Sequence, residues 1–303
     1  ASFAFEPHWN PARTMIAFTR INVATKAQRM LSLYDVEQDK VIDVATMKPE
    51  DWTGYGFSPT WSPHGDALAF KVRNSDEGAA VYVVSVKHGK ATRILPDVAG
   101  EIGELYWNEK GLFFSVREGG PKGPARRLRW VELPPVSDLV TIDPLALARQ
   151  SVDVGEGSEP RYYDGSLYYL RSSKDHSQQF DLVRDELVGA EPEIVLSGVG
   201  PYFEIGPDGT IAYQSDPTGG SRPVRLTILR PGQSKGEVTR VSAFRFRFSP
   251  DGKRLACLWL VGGRPGYFVY DHRSKEIWAL SAFRGDFTAD ALASLVNRPL
   301  FDW

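Results

Sequence analysis

Two sets of polar and aromatic residues recur along the chain at a fixed distance before a repeated turn. The first set lies directly before a position that holds tryptophan in the first three turns, and comprises His8, Thr60, Tyr106, Arg161, Glu204 and Arg247. The second set lies three positions before that place, and comprises Glu6, Ser58, Glu104, Glu159, Tyr202 and Arg245. Side chains alternate between the two faces of a strand, so both sets are expected on the face opposite the tryptophan position.

Mixed charges and aromatic rings on one face suit the recognition of a peptide segment or another polar ligand. The candidate ligand-binding residues are His8, Tyr106, Arg161, Tyr202, Glu204, Arg245 and Arg247. In that case Arg161→Ala would weaken ligand binding and leave folding nearly intact. An alternative is that charged members pair among themselves, Glu159 or Glu204 with Arg161 or Arg247, and hold neighbouring repeats in register.

Motifs for catalysis are missing from the sequence. No G-x-S-x-G nucleophile elbow is present, since residues 219–223 end in proline instead of glycine. There is no H-E-x-x-H motif, EF-hand loop or glycine-rich phosphate loop. The five histidines are scattered over four repeats, and a metal site needs three or four converging ligands. We therefore expect no catalytic residues, no metal site and no cofactor.

Composition narrows the class of protein and of partner. The 303 residues are 42% hydrophobic, enough for a sizeable core, and the formal net charge is −2. This charge implies no general attraction to nucleic acid or to an anionic membrane. The one cysteine, Cys257, excludes an internal disulfide and lies in an apolar run that is too short to span a bilayer, where a buried inert thiol is expected. Ala1 is either a mature end left by signal cleavage or the boundary of a cloned piece.

The polar positions are placed by a repeated β-hairpin. Its clearest copies are the stretches FSPTWSPHGDALAF at 57–70 and FRFSPDGKRLACL at 246–258. Proline presets φ in the turn, and a following glycine takes the positive φ that returns the chain. Turn glycines recur at Gly65, Gly111, Gly165, Gly209 and Gly252. Their spacing matches a four-stranded propeller blade of roughly 40 to 50 residues and exceeds a helical repeat of about 34.

Strand-forming segments follow every turn and complete six units of four strands each. The predicted fold is an all-β, six-bladed β-propeller of four-stranded antiparallel blades with a short C-terminal helix. The chain is predicted to be one domain, residues 1–303, with blades at about 3–46, 57–96, 103–155, 158–197, 200–241 and 244–281. Because the first unit opens with a first strand and the last unit ends with a fourth, each blade is expected to be built from consecutive strands.

The motif P-x-W-S-P-x-G, seen at residues 59–65, resembles the repeat of TolB-like six-bladed propellers, which also occurs in prolyl-oligopeptidase-type enzymes. It is clear in the second and sixth units and degraded in the third to fifth. The resemblance spans nearly the whole chain and implies the fold, together with a bacterial periplasmic or extracellular location. Because the first repeat starts by Pro7, we expect the N-terminal α/β domain of TolB-type proteins to be missing.

Two segments depart from the repeat. Residues 117–157 contain a basic cluster, Arg126, Arg127 and Arg129, beside Trp130, with a helix-like stretch at 144–149. The cluster is interpreted either as a site for an acidic segment or a glycan, or as a solvated strand edge that charge protects from aggregation. Residues 287–303 carry leucine and valine at helical spacing, and either pack on the propeller rim or extend to a partner.

The sequence therefore favours a non-catalytic binding or scaffold propeller that recognises a protein segment or peptide at its channel mouth or on a blade face. We expect a protein or peptide partner, no nucleic acid and no membrane span. Two alternatives stay open because the fold alone supports many functions. One is a metal-dependent lyase or hydrolase acting on a polysaccharide-type substrate, and the other is a sensor for a small molecule or sugar.

Overall fold

The computed structural model describes residues 2–22, 28–47, 57, 59–74, 78–87, 89, 91–98, 101–120, 123–141, 143–175, 179–187, 191–215, 224–261 and 264–282. It contains six antiparallel sheets of four strands each. The predicted all-β, six-bladed propeller is confirmed, and every sheet is built from strands that are consecutive in the chain. The helix predicted within residues 287–303 lies outside the described residues. In the described part of the chain, no helix is long and apolar enough to cross a membrane.

The chain divides into two compact units, Ala1–Pro160 and Arg161–Phe301. The prediction of a single domain over residues 1–303 stays a prediction. Sheet 1 contains β1 (Ser2–Trp9), β2 (Met15–Asn22), β3 (Gln28–Asp35) and β4 (Lys40–Met47). Sheet 2 contains β5 (Thr60–Trp61), β6 (Ala67–Asn74), β7 (Gly78–Ser85) and β8 (Ala91–Val98). Sheet 3 contains β9 (Glu101–Asn108), β10 (Gly111–Gly120), β11 (Gly123–Val131) and β12 (Val152–Glu156).

The other three sheets belong to the second unit, apart from the first residues of β13. Sheet 4 contains β13 (Ser158–Tyr163), β14 (Ser166–Ser172), β15 (Phe180–Asp185) and β16 (Glu193–Val199). Sheet 5 contains β17 (Phe203–Ile205), β18 (Ile211–Ser215), β19 (Arg225–Leu229) and β20 (Glu237–Ser242). Sheet 6 contains β21 (Arg245–Phe248), β22 (Arg254–Val261), β23 (Arg264–Asp271) and β24 (Ile277–Ala282).

The core consists of apolar layers between neighbouring sheets. In β6, Leu68 and Phe70 pack into a cluster with side chains of sheet 1, whereas Ala67 and Ala69 join a cluster with side chains of sheet 3. This division follows from the two-residue period of a strand, which sends successive side chains to opposite faces. The second unit repeats the arrangement, with one cluster between sheets 4 and 5 and another between sheets 5 and 6. Cys257 lies in the last cluster and is fully buried, as predicted.

The turn between the first two strands of a sheet is fixed by hydrogen bonds from its own residues. In sheet 2 the Gly65 amide donates to the Ser62 carbonyl (2.9 Å), and the Ser62 hydroxyl accepts from the amide of Ala67 (3.0 Å). Gly65 has φ +73, as predicted for this position. The first turn differs, because Arg13 takes the positive φ, +61, and its amide donates to the Asn10 carbonyl.

The turn glycines also touch the turn of the preceding sheet. A Cβ added at Gly65 would lie 3.1 Å from Pro11 Cδ, and one added at Gly252 would lie 3.0 Å from Pro207 Cγ. The motif proline of one sheet therefore packs on the motif glycine of the next. A side chain larger than hydrogen at these glycines would push neighbouring turns apart.

Polar side chains on second strands bind the backbone that leads into the next sheet. The Lys71 ammonium of β6 donates to the carbonyls of Ile102 (3.2 Å) and Gly103 (3.1 Å) in β9. Gln214 of β18 donates to the carbonyls of Ala243 (3.1 Å) and Phe244 (2.9 Å), just before β21. These bonds satisfy carbonyls in the first strand of the next sheet or directly before it, so they join one sheet to the next.

The long connection between β11 and β12 packs on the first unit. It contains one 3-10 turn (Leu139–Thr141) and the helix α1 (Pro144–Arg149), which confirms the helical stretch predicted there. The Asp143 side chain caps α1 by accepting a hydrogen bond from the Leu145 amide (3.0 Å). Leu139 and Leu147 are buried in the core cluster between sheets 2 and 3. The connection therefore covers the core cluster between sheets 2 and 3, and it is held there by its buried leucines.

Replacing Gly252 with alanine tests the packing between neighbouring turns. Alanine pays about 1 to 2 kcal/mol in a left-handed conformation, and at Gly252 it also meets Pro207. We expect a loss of about 2 to 5 kcal/mol in the free energy of unfolding, because overpacking adds about 1 to 3 kcal/mol. The matched control is Gly232→Ala, since Gly232 has φ +79 with open space around its Cβ position. Equal losses in urea unfolding of the two variants would contradict the packing argument.

Candidate functional site

Five of the predicted site residues come together in the second unit. Arg161 lies in β13, Glu204 in β17, and Arg245 and Arg247 in β21, while Tyr202 directly precedes β17. These are the first strands of sheets 4, 5 and 6, and β17 lies beside β21. We call these five residues the arginine cluster. In a propeller the blades surround a central channel, so groups on adjoining first strands converge.

Glu204 is the acceptor at the centre of the arginine cluster. Its carboxylate accepts a hydrogen bond from Arg161 Nη2 (2.9 Å) and another from the hydroxyl of Tyr202. The side chains of Arg161 and Glu204 are only 16% and 8% exposed, so their ion pair is partly shielded from water. A buried carboxylate stays charged only when such partners replace its hydration. The pair also links sheet 4 to sheet 5, as the register alternative predicted.

Tyr202 is the platform on which the arginines rest. The Arg245 guanidinium carbon lies 4.2 Å from the centroid of the Tyr202 ring, and that of Arg161 lies 5.7 Å away. On another side Phe246 meets the ring edge to face, with centroids 5.0 Å apart. Cation–π contact and aromatic packing together fix the ring and, through it, the Arg245 guanidinium.

The electrostatics of the arginine cluster favour an ionised Glu204 and a neutral Tyr202. Burial by itself raises the pKa of Glu204, but the charges of Arg161 and Arg247 and the two hydrogen bonds bring that pKa below its ordinary value. Burial, with the adjacent charge of Glu204, raises the pKa of the Tyr202 hydroxyl well above its usual range. The tyrosine therefore keeps its proton at neutral pH and donates a hydrogen bond to the carboxylate.

The other two candidate residues, His8 and Tyr106, belong to the first unit. His8 is buried in β1, and its backbone carbonyl accepts a hydrogen bond from the Trp61 indole (2.9 Å). Tyr106 is half-buried in β9, opposite Phe113 of β10. Ser58 and the side chain of Glu6 lie outside the described part of the structure.

Arg127 and Trp130 of β11 are engaged within their own sheet. Arg127 forms an ion pair with Asp153 of β12 through Nη2 and Oδ2 (2.5 Å). Trp130 stacks on Phe113, and its indole donates to the Lys110 carbonyl (3.0 Å). The interpretation of this segment as a strand edge is wrong, because β11 pairs with both β10 and β12 and is an interior strand.

Histidines and acidic residues do not form a metal centre in the described ranges. Within them, no group of three or more His, Cys, Asp or Glu side chains is placed to hold an ion. His64 is exposed in its turn, as predicted, while His88 and His176 lie outside the described residues. His272 is buried against Phe248, and its Nε2 lies 2.8 Å from the Gly252 carbonyl. That position identifies His272 as a support for the turn of sheet 6.

The sequence did not indicate the residues whose side chains bind distant backbone carbonyls. Lys71, Gln214 and His272 all bind backbone carbonyls, yet each stands among apolar strand residues or in a turn with no motif of its own. A usable signal was a polar side chain in a second strand that is otherwise aliphatic. Such a residue needs a hydrogen-bond partner when it is buried, and for Lys71 and Gln214 the partner is a backbone carbonyl at the start of the next sheet.

Replacing Arg161 with alanine would leave the Glu204 carboxylate buried without its ion-pair partner. Breaking a buried pair in this way costs about 3 to 5 kcal/mol, in contrast to the nearly intact folding expected from the sequence. The control is Arg184→Ala, which breaks an ion pair to Glu186 whose side chains are 40% and 59% exposed. That change should cost about 1 kcal/mol or less. If the two variants unfold at the same urea concentration, the buried pair does not hold sheets 4 and 5 together.

The lowered pKa of Glu204 predicts how its stabilising effect depends on pH. The contribution is fully present above the ordinary glutamate pKa of 4.5 and is lost as the pH falls through the lower pKa of the folded state. Glu204→Gln should therefore destabilise the protein by about 1 to 3 kcal/mol at pH 7, and the difference from the wild type should shrink below pH 4.5. Urea midpoints across this range measure the effect. Glu193→Gln, which removes a carboxylate that is 64% exposed, should show no such trend.

No protein-family model and no curated protein matches the chain. Among solved structures it is similar to an oligogalacturonate lyase from Vibrio parahaemolyticus, with 14% identity, a TM-score of 0.65, and 92% of this chain and 77% of that chain covered. It is also similar to the β-propeller domain of the Trilobed protease from Pyrococcus furiosus, with 15% identity, a TM-score of 0.62 and coverage of 92% and 84%. TolB from Acinetobacter baumannii matches with 13% identity, a TM-score of 0.49 and coverage of 93% and 55%. At identities this low, the likeness to the lyase and to the protease domain shows a shared fold alone.

Proposed function

We propose that this propeller is a non-catalytic binding protein that recognises a segment of another protein or a peptide. The observation that carries the proposal is the convergence of Arg161, Arg245 and Arg247 on Tyr202 and Glu204 at neighbouring first strands. Such a surface has hydrogen-bond donors and an aromatic platform, which are the groups that orient a polar chain in a site.

The fixed geometry of the arginine cluster supports binding. Arg161 is held by Glu204, and Arg245 is stacked on Tyr202, so little side-chain freedom remains to be lost when a ligand arrives. Preorganisation of this kind raises affinity by lowering the entropic cost of association. Arginine and tyrosine are also the residue types that contribute most to protein–protein binding energy.

The extent of the arginine cluster supports a protein or peptide partner. The cluster extends over the first strands of three sheets, which suits an extended segment with several contact points. A periplasmic or extracellular location, as the resemblance to TolB-like propellers implies, is part of this proposal. Cell fractionation with an antibody to the protein tests that location.

A phage-displayed library of random linear peptides, selected on the immobilised wild-type protein, tests the proposal. We expect enriched sequences that bind the double variant Arg245→Ala/Arg247→Ala at least about tenfold more weakly, because a hydrogen bond to a charged group contributes about 1.5 to 3 kcal/mol. The matched control is Arg273→Ala/Lys253→Ala, which removes two charges from exposed positions of sheet 6.

Two results would overturn the proposal. One is a selection in which no sequence is enriched over the uncoated surface. The other is a set of enriched peptides whose affinity is the same for the wild type and for both double variants, since the binding surface would then lie elsewhere. Metal analysis of the purified protein separately tests the alternative of a metal-dependent lyase or hydrolase, and an ion retained after dialysis would favour it.

A further inference from the structure

We infer that residues 288–297 of this chain form an amphipathic helix that packs on the outer edge of sheet 6. Three observations point to this contact. The outer strand β24 presents apolar side chains to solvent, it differs from the other outer strands in having no charge, and the segment follows it directly in the chain. The helix and its docking surface are separate from the arginine cluster, and neither depends on the proposed function.

The edge of sheet 6 is apolar and exposed. β24 is the outer strand of this sheet and pairs with β23. Ile277, Trp278 and Leu280 are 45%, 42% and 54% exposed, and they are the exposed large apolar side chains among the described residues of sheet 6. We call these three residues the β24 patch. Contiguous apolar side chains at a surface mark a place where another element binds.

β24 differs from the outer strands of the other five sheets in its charge. Each of β4, β8, β12, β16 and β20 contains at least one acidic or basic residue. β24 has the sequence IWALSA and contains none. Charge on an edge strand protects it from pairing with other chains, and a covering helix gives the same protection. Because β24 lacks the first device, we expect it to have the second.

A bulge in β24 favours a helix over a further strand as the covering element. Ala279 pairs with Phe268, and the next pair along the ladder joins Ser281 to Tyr267. Leu280 lies between them and is left without a partner in β23. A bulge bends its strand and interrupts regular pairing, which opposes the addition of a strand from another chain. A helix needs only side-chain contacts with the β24 patch, and the bulge does not disturb these.

The segment after β24 has the sequence pattern of a short amphipathic helix. It lies outside the described residues. Thr288 suits the N-cap, and Leu292, Leu295 and Val296 recur at the spacing of one helix face. A helix of about 10 residues is marginal in water and depends on packing of its apolar face. Residues 288–297 therefore need an apolar surface, and the β24 patch needs a cover.

The length of the chain between them makes the β24 patch the surface within reach. Residues 283–287 join Ala282 to Thr288, and five residues span at most about 18 Å. The strand from Ala282 back to Ile277 is about 17 Å long, so the helix can start above any part of it. Gly285 allows the chain to reverse direction. A tether this short gives an effective concentration of about 1 mM, which a second copy of the chain does not reach in dilute solution.

Paired cysteines in the full chain test the inference. In Leu280→Cys/Leu295→Cys the thiols lie on facing surfaces, and we expect a disulfide within one chain on oxidation by oxidised glutathione. The matched control is Leu280→Cys/Ser294→Cys, since Ser294 lies about 200° around the helix from Leu292. Its disulfide should form at least about tenfold more slowly, because the two Cα atoms are too far apart. Cys257 does not interfere, because burial raises the pKa of its thiol.

Hydrogen exchange measures the cover without new cysteines. Leu292→Asp/Leu295→Asp places charge on the apolar face of the helix, and the backbone amides of β24 should then exchange at least about tenfold faster than in the wild type. Ser294→Asp adds charge on the opposite face and should leave the exchange unchanged. Amides of β22, an interior strand, report whether sheet 6 stays folded. If they exchange faster as well, the sheet itself has opened and the cysteine pairs decide.

Three results would overturn the inference. The first is an equal rate of disulfide formation in the two cysteine pairs. The second is a disulfide-linked dimer in place of the monomer on a non-reducing gel, since a second copy would then cover β24. The third is exchange at the wild-type rate in Leu292→Asp/Leu295→Asp. These results leave the arginine cluster untouched, so the proposed function is decided by the peptide selection alone.

Discussion

The physical constraint behind this fold is that each four-stranded sheet has two apolar faces and can cover neither alone. Leu68 and Phe70 on one side of β6, and Ala67 and Ala69 on the other, are buried only because a neighbouring sheet lies on each side. Burial of apolar area is the dominant favourable term in folding. Repetition of the same two-faced unit is therefore both the cause of the architecture and the condition for its stability.

The motif that repeats along the sequence serves the contact between sheets as much as the turn itself. Gly65 and Gly252 have positive φ, and the proline of the preceding turn packs against each of them. The polar bonds of Lys71 and Gln214 act at the other end of the same hairpins, on backbone that leads into the next sheet. Neighbouring sheets are thus joined by turns, side-chain hydrogen bonds and the apolar layers between them.

The arginine cluster is the polar counterpart of these contacts. Its residues lie on first strands or directly before one, where the arginines of β21 alternate with buried phenylalanines and Tyr202 packs against Phe246 at the border of the apolar core. The ion pair between Glu204 and Arg161 joins two sheets and offsets the free energy lost when these charges are desolvated. The register interpretation and the binding interpretation are therefore compatible, since a pair that fixes two strands also orients the arginines beside it.

The sequence by itself determined the repeat, the strand periodicity and hence the six-bladed fold, because turn proline, turn glycine and alternating apolar residues act through local geometry. It also grouped Arg161, Tyr202, Glu204, Arg245 and Arg247 by their place before each turn. Only the tertiary structure decided which of them touch, and it revealed the roles of Gln214 and His272. Those contacts join residues far apart in the chain, and their partners are backbone carbonyls, which every residue has and which therefore leave no mark in the sequence.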